Sequence, residues 1–388
     1  MKRFYMLDMY FSSMALAVAA FSLFLLLPQH KNPAKRPFVC VLTCLALLAS
    51  GPVIFSTFPA FRQLYIAAIP VIFYLLLPCF WLYHEALISS APWQWHKNTN
   101  KHFLPLLFAL LVSLLILLLP EQDFDNLFFS EIPLENTMAK MTATSFFALL
   151  VLWCVLSLVY VVGMFKRTIE YRSRIKQMYA NESGKTLLWV HSFSLLLVFT
   201  WIYALAVLTL GNRFAQYGLS DTGVFLLLLV LVWLMATNGF RQQPGFVEVF
   251  SPAPDNSEVG AQTNKAKYQR SALNQDDFER IATKLVHAIS QDALHLDAEL
   301  NLLKLAKHTG VPSQYLSQTL NQHLDTTFFD FINQARIENA KPMLLKSDQT
   351  VLDIALAVGF NARSSFYKAF KQSTGMTPSE YKKQHNAG

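Results

Sequence analysis

The segment Thr350-Val-Leu-Asp-Ile-Ala-Leu-Ala-Val-Gly-Phe-Asn-Ala-Arg-Ser-Ser-Phe-Tyr-Lys-Ala-Phe370 reads as two short helices joined by a tight turn. Thr350 is placed to cap the first helix, and Asp353, three residues on, completes a capping box. Ile354, Ala355 and Val358 then form one apolar face, and Gly359 stands where a left-handed C-cap belongs. Asn361 is suited to cap a second helix, in which Phe366 and Phe370 stand four apart on one side. Two helices so joined make a helix-turn-helix, whose second helix enters the major groove of DNA. Directly after it, Gly375-Met-Thr-Pro-Ser-Glu-Tyr381 supplies a capping Thr377, a first-turn Pro378 and, in Glu380, the acid of another capping box.

The same unit occurs earlier in the chain. Leu305-Ala306, Gly310-Val311, Leu316 and Leu320 mirror Ile354-Ala355, Gly359-Phe360, Phe366 and Phe370, the second turn being one residue longer. Between the copies, Thr327 and Asp330 box the start of a connecting helix through Ile332, Arg336, Ile337, Ala340 and Leu344. Upstream, Phe278, Ile281, Ala282, Leu285 and Ile289 mark the amphipathic helix that opens this soluble domain. With Leu316 and Leu320 turned to the core, Gln314, Ser317, Gln318 and Asn321 face outward. With Phe366 and Phe370 turned inward, Arg363, Ser364, Ser365, Tyr367 and Lys368 face outward. Gln and Asn can pair bidentately with adenine and Arg363 with guanine, while Lys368 and Lys371 suit phosphates.

The ordered set Ile354-Ala355, Gly359-Phe360-Asn361, Phe366, Phe370-Lys371, Thr374-Gly375-Met376-Thr377-Pro378 and Tyr381 resembles the signature of the AraC/XylS family of bacterial transcription regulators. The resemblance covers roughly the last hundred residues. It implies two helix-turn-helix units held by the connecting helix, with both recognition helices entering successive major-groove segments about 34 Å apart. It also implies double-stranded promoter DNA as partner, action as a homodimer, and no cofactor. Two positions depart from the family pattern. Pro312 stands where a capping Ser is usual, so Ser313 is expected to cap one residue late. Pro342 falls inside the connecting helix and deletes its bond to the Glu338 carbonyl, at roughly 3 kcal/mol in a regular helix.

The remainder of the chain has a different composition. Of 388 residues, 53% are hydrophobic and only 15% charged, with 32 Phe, which points to a membrane protein. Seven apolar runs, Met6–Leu27, Phe38–Phe58, Leu64–Ile88, Phe103–Leu119, Met141–Phe165, Thr186–Leu210 and Thr222–Phe240, each approximate the length of a transmembrane helix. The fold class expected is all-α, a seven-helix transmembrane bundle followed by a soluble domain of two helix-turn-helix units. Domain boundaries are expected at 1–240, at a polar linker 241–271, and at 272–388. Seven spans place the chain ends on opposite sides, so a DNA-binding C-terminus in the cytoplasm requires the N-terminus outside. Lys and Arg agree, with eleven in the inner loops and five in the outer segments. The location expected is the bacterial inner membrane.

The net charge of +7 is mostly topology, because the loop Lys166–Lys185 alone carries +4. From Ala272 to the end, twelve Lys/Arg cancel twelve Asp/Glu, yet Arg363, Lys368, Lys371, Lys382 and Lys383 face only Glu380. That local excess is the part that bears on DNA. Cys40, Cys44, Cys79 and Cys154 all lie in apolar runs and read as packing residues. Pro52, Pro70 and Pro78 read as helix kinks within the spans. His84, Glu85 and His191 are the ionisable candidates for sensing, placed near span ends where headgroup water is in reach. The sequence has no metal-spaced His cluster, nucleophile elbow or phosphate loop, which disfavours an enzyme. A small molecule or a change in the membrane is the expected signal. The competing reading is a receptor or transporter whose helical tail recruits proteins rather than DNA.

Overall fold

The apolar runs leave no water to satisfy their backbones, so helices, which bond internally, are the economical structure for them. The computed structural model describes residues 2–29, 35–90, 93–130, 133–182, 184–214, 220–242, 245–246, 273–346 and 348–386. Among these the regular structure is helical, with one isolated bridge between Tyr179 and Asn301. The expected polar linker at 241–271 falls almost wholly outside the described residues. Contacts divide the chain into two units, Met1–Thr168 with Leu187–Val247, and Ile169–Thr186 with Glu248–Gly388.

The first unit contains α1 (Lys2–Leu26), α2 (Arg36–Ala49), α3 (Gly51–Thr57), α4 (Arg62–Ile88), α5 (Leu106–Leu117), α6 (Glu121–Phe128), α8 (Leu188–Phe214), α9 (Asp221–Arg241) and most of α7 (Thr137–Met178). Six helical stretches are long and apolar enough to cross a membrane, and α2 with α3, bent by 48°, makes a seventh if the pair is one span. The bend follows from Pro52, whose missing N–H leaves the Leu48 carbonyl without its helical donor. The Tyr65 hydroxyl donates to that carbonyl instead, at 3.0 Å. Pro70 and Pro78, by contrast, lie within an uninterrupted α4.

Helix α1 packs on α9 and α2, α2 on α4 and α9, α4 on α5, and α8 on α9. Gly239 lets α9 approach α2, since a Cβ there would lie 2.2 Å from the Phe38 ring. The outer faces keep Phe21, Phe24, Phe108, Val159, Leu195 and Ile202 exposed. Apolar side chains so placed are consistent with a multi-pass membrane region. The four cysteines are free thiols in this packing, and the Cys79 and Cys40 sulfurs approach to 2.9 Å.

One element differs from the sequence reading. The loop expected from Lys166 is helical as far as Met178, so α7 spans 42 residues. Lys166–Met178 contains neither Gly nor Pro, and Tyr171 and Ile175, one turn apart, are buried. Burial on one stripe outweighs the local charge.

The second unit contains α10 (Gln275–Ser290), α11 (Leu302–Thr309), α12 (Ser313–Gln318), α13 (Phe328–Lys346), α14 (Val351–Ala357), α15 (Arg363–Thr374) and α16 (Pro378–Asn386). Two cores form around α13. Ile281, Leu285, Leu305, Leu316, Leu320 and Ile332 make the first, and Ile337, Leu344, Ile354, Val358, Phe366 and Phe370 the second. Helix α13 contributes a different stretch of its length to each core, and it continues through Pro342.

Candidate nucleic-acid interface

Both turns are built as the glycine pattern requires. Gly310 and Gly359 adopt positive φ, 65° and 95°, between α11 and α12 and between α14 and α15. At Gly359 space is also limiting, because a Cβ would lie 2.7 Å from the His295 carbonyl oxygen and 2.9 Å from that of Leu296. The Thr350–Asp353 capping box is present in full. So is the box at α16, where Thr377 N donates to Glu380 Oε2 at 2.8 Å and Glu380 N to Thr377 Oγ1 at 3.3 Å. The Thr377 N–H and then the Thr377 hydroxyl hold the Glu380 carboxyl below its ordinary range.

Two expected caps are corrected. Asn361 does not cap α15: the cap position is Ala362, without a side-chain bond, and Asn361 Nδ2 donates to Glu299 Oε1 at 2.7 Å. The longer second turn moves Asn361 one residue out of capping register and frees it to bridge to the segment before α11. Ser313 does not cap α12 either, since Pro312 occupies the cap position and Ser313 is the first helical residue. Proline's fixed φ starts the helix without a side-chain acceptor.

All ten side chains expected to face DNA lie on α12 and its continuation or on α15. Gln314, Asn321, Arg363, Ser364, Lys368 and Lys371 are exposed, and Ser317, Gln318, Ser365 and Tyr367 are half-buried. The α12 set is neutral and internally paired. Gln318 Nε2 donates to Gln322 Oε1 at 3.0 Å, and Asn321 Nδ2 to Ser317 Oγ at 3.3 Å. Beyond Gln318 the helix widens into a π turn, Thr319–His323. There Thr319 Oγ1 back-bonds the Tyr315 carbonyl at 2.8 Å, which loosens helical geometry.

The α15 set is basic, for Arg363–Thr374 carries no acid. Arg363 Nη2 donates to the Tyr367 hydroxyl at 2.9 Å while its guanidinium lies 4.9 Å from that ring's centroid. The Ser379 hydroxyl and the Arg363 guanidinium hold the Tyr367 phenol below its usual value. Arg363 is thereby presented in one orientation, which lowers the ordering cost of a bidentate contact.

The seam between the two cores centres on a buried charge. Arg336, wholly buried on α13, donates from Nε to the His295 carbonyl at 2.7 Å, from Nη2 to Asp297 O at 2.8 Å and from Nη1 to Ala180 O at 3.3 Å. Its guanidinium also lies 5.4 Å from the Phe360 ring. Burial lowers its pKa to about 10, with Asp297 and Glu299 opposing, so it is charged at neutral pH. The sequence reading placed Arg336 on the connecting helix without a role. A lone cation inside an apolar register was the available signal.

Ala180 belongs to a segment that sequence reasoning treated as a plain loop. It is buried in the first core, its N–H donates to Leu300 O at 3.2 Å, and its carbonyl also accepts from Asn333 Nδ2 at 3.4 Å. Lys176, a turn earlier, lies 5.2 Å from the Phe329 ring. Nothing in the pattern of residues 176–185 announces this docking, which depends on partners more than a hundred residues away.

The three sensing candidates are placed as follows. His84 is fully buried and hydrogen-bonds Thr168 Oγ1 at 2.8 Å, so the expected reach to headgroup water is not realised. Helix α7 covers it. Glu85 pairs with Arg167 at 3.8 Å, and His191 packs edge-on against Phe165, 4.9 Å between centroids. Among the described residues no group of His, Cys, Asp or Glu is spaced to hold a metal ion.

The C-terminal part of the chain is similar to known proteins. Residues 305–384 match the family model described as a helix-turn-helix domain. Over 113 residues the chain is 34% identical to an uncharacterised HTH-type transcriptional regulator of Staphylococcus aureus (strain COL), covering 29% of this chain and 14% of that protein. Over 156 residues it is 28% identical to the regulatory protein PocR of Salmonella typhimurium, covering 40% of this chain and 47% of that one. The chain thus spans less than half the length of these relatives. The solved C-terminal domain of the two-component response regulator yesN from Fusobacterium nucleatum is 30% identical, with 26% of this chain and 97% of that one covered and a TM-score of 0.24. The chain carries a C-terminal HTH-type transcriptional-regulator domain preceded by several long apolar helices. Its relatives are regulators rather than enzymes, in keeping with a non-catalytic protein.

Proposed function

We propose that this chain is a membrane-bound, sequence-specific transcription regulator of the AraC type, its helical bundle acting as sensor or anchor. The observation that carries the reading is the pair of hydrophobic cores that share α13, with polar side chains exposed on α12 and α15. Gln314, Ser317, Gln318 and Asn321 would contact bases from the first head. Arg363, Ser364, Ser365 and Tyr367 would do so from the second, with Lys368 and Lys371 on phosphates. The partner is promoter DNA, bound by a homodimer.

A seven-span topology is supported by two contacts in the first unit. Thr222 at the start of α9 hydrogen-bonds Asp8 near the start of α1, and Lys35 before α2 donates to Gly239 O near the end of α9 at 3.1 Å. Both require an even number of crossings between the starts of α1 and α9, which holds when α2 and α3 together make one span. We place the domain limits near 240 and 272, the N-terminus outside and the C-terminal domain in the cytoplasm of a bacterial inner membrane, on the run lengths and the Lys/Arg bias of the sequence. Coupling to the bundle has a second route besides the linker at 241–271, because residues 176–180 are built into the first core and the Arg336 seam.

Footprinting with the full chain in nanodiscs tests the central reading. A protected site of two adjacent major-groove segments at physiological salt is expected. No protection on any promoter crosslinked in the host would overturn it in favour of a tail that recruits proteins.

A further inference from the structure

A cavity of about 470 Å³ lies inside the first unit, within the size range of sites for small organic ligands. It is walled by α1, α4, α7, α8, α9, the α2–α3 bend and the C-terminal end of α6. In the proposed topology every contributing segment is the outer part of its helix. The break at Pro52, read from sequence as a packing kink, lies on its wall.

The lining has one chemistry. Phe73, Trp153 and Trp201 cluster there, with ring centroids 4.2 Å apart for Phe73–Trp201 and 5.0 Å for Trp153–Trp201. Phe55, Tyr65 and Phe129 add further aromatic surface. Among the described residues the charged groups on the wall are two carboxylates, Asp8 and Asp221, and no Lys or Arg lines it. Thr222 Oγ1 donates to Asp8 and so fixes one of the two. Trp201 is 7% exposed, and its buried indole N–H has no hydrogen-bond partner among the described residues.

We infer that this cavity is the signal site and binds an organic cation, an amine or quaternary ammonium carried on an aromatic or aliphatic body. The carboxylates would hold the cationic head, and the aromatic faces would attract it and its apolar body. A lipid chain would use the aromatic wall and leave Asp221 facing the cavity with no cation beside it. An organic anion of the same shape would be repelled. The assignment of this site to signalling rests on the sensor reading above, whereas the binding chemistry stands on the cavity alone.

The full chain in phosphatidylcholine nanodiscs provides the test, with tetraphenylphosphonium and tetraphenylborate as probes of equal shape and opposite charge. Saturable quenching of tryptophan fluorescence by the phosphonium is expected, with binding of the borate about tenfold weaker or less. Asp8→Asn with Asp221→Asn should weaken the phosphonium by about tenfold or more. Ala204→Phe fills the wall without touching either carboxylate, and should abolish quenching while the footprint on DNA persists. Equal binding of the two probes, or phosphonium binding indifferent to the paired Asn substitutions, overturns the cation site and leaves a lipid-like apolar pocket. Charge-selective binding with no change in transcription from the footprinted promoter overturns the signalling role and keeps the site. Failure of the DNA reading shows separately, as absence of the footprint in ligand-free protein.

Discussion

Arg363 and Lys371 share a helix and a charge but occupy different chemical situations. Arg363 is braced by Tyr367, while Lys371 stands exposed a turn before the C-terminus of α15. Arg363→Ala is therefore expected to cost about 1–3 kcal/mol on the preferred site and to relax base preference at one position. Lys371→Ala should weaken binding to all sequences alike and lower the slope of log affinity against log salt by about 1. Fluorescence anisotropy on specific and scrambled duplexes at several salt concentrations separates the two. Uniform weakening by Arg363→Ala would reassign that side chain to phosphate. Gly359 makes a third residue-scale case, since it combines positive φ with a carbonyl 2.7 Å from any Cβ. Gly359→Ala should destabilise the α13–α14 packing by at least about 2 kcal/mol, read as lost hydrogen-exchange protection of α13 amides.

At the scale of elements, α13 is the part shared by the two hydrophobic cores of the second unit, and in the proposed reading it fixes the relation of two helix-turn-helix units. Its Arg336 donates to three backbone carbonyls from distant segments, so Arg336→Met would take from His295 O its donor and from Ala180 O and Asp297 O one of two, the others being Asn333 Nδ2 and the Leu300 N–H. The expected loss is roughly 3 kcal/mol, with both heads folded and the two-head footprint reduced to one. A variant that retains the full footprint would show that the seam does not set the spacing. Helix α16 offers a pH test. Because its capping contacts depress the Glu380 pKa, their stabilisation is complete above the ordinary value of 4.5 and is lost as pH falls through the lower folded value. Amides of α16 should accordingly lose exchange protection below about pH 4.5 in the wild type, and Glu380→Gln should flatten that dependence. Of these elements, the boxes at Thr350 and Thr377 and both glycine turns were legible in the sequence, because each depends on residues within four positions. The caps expected of Asn361 and Ser313 were not, since one extra turn residue and one proline shifted the register.

For the whole molecule, the strongest demand of the proposed topology is that residues before α1 and after α9 lie on opposite sides of the membrane. Alkaline phosphatase fused after Phe129 should be active and the same enzyme fused after Lys101 inactive, as odd crossings require. The reverse pattern would place the helix-turn-helix domain outside and end the regulator reading. Sequence alone determined that long apolar helices precede a helix-turn-helix domain, because hydrophobic run length and i, i+3, i+4 spacing are local quantities. It also determined which faces of α12 and α15 stay polar. Tertiary structure decided what joins segments far apart in the chain: the extension of α7 to Met178, Ala180 and Arg336 meeting at the seam, and the burial of His84. It also brought Asp8 near the start of α1 to the same cavity as Asp221 at the start of α9. Asp8 interrupts an apolar run in plain view, yet a single carboxylate has no chemistry to announce until the fold supplies its neighbours. The Thr350–Phe370 helix-turn-helix could be read from its own residues because its core, cap and turn lie within one short segment. The seam and the cavity could not, because their energies come from pairs that only packing creates.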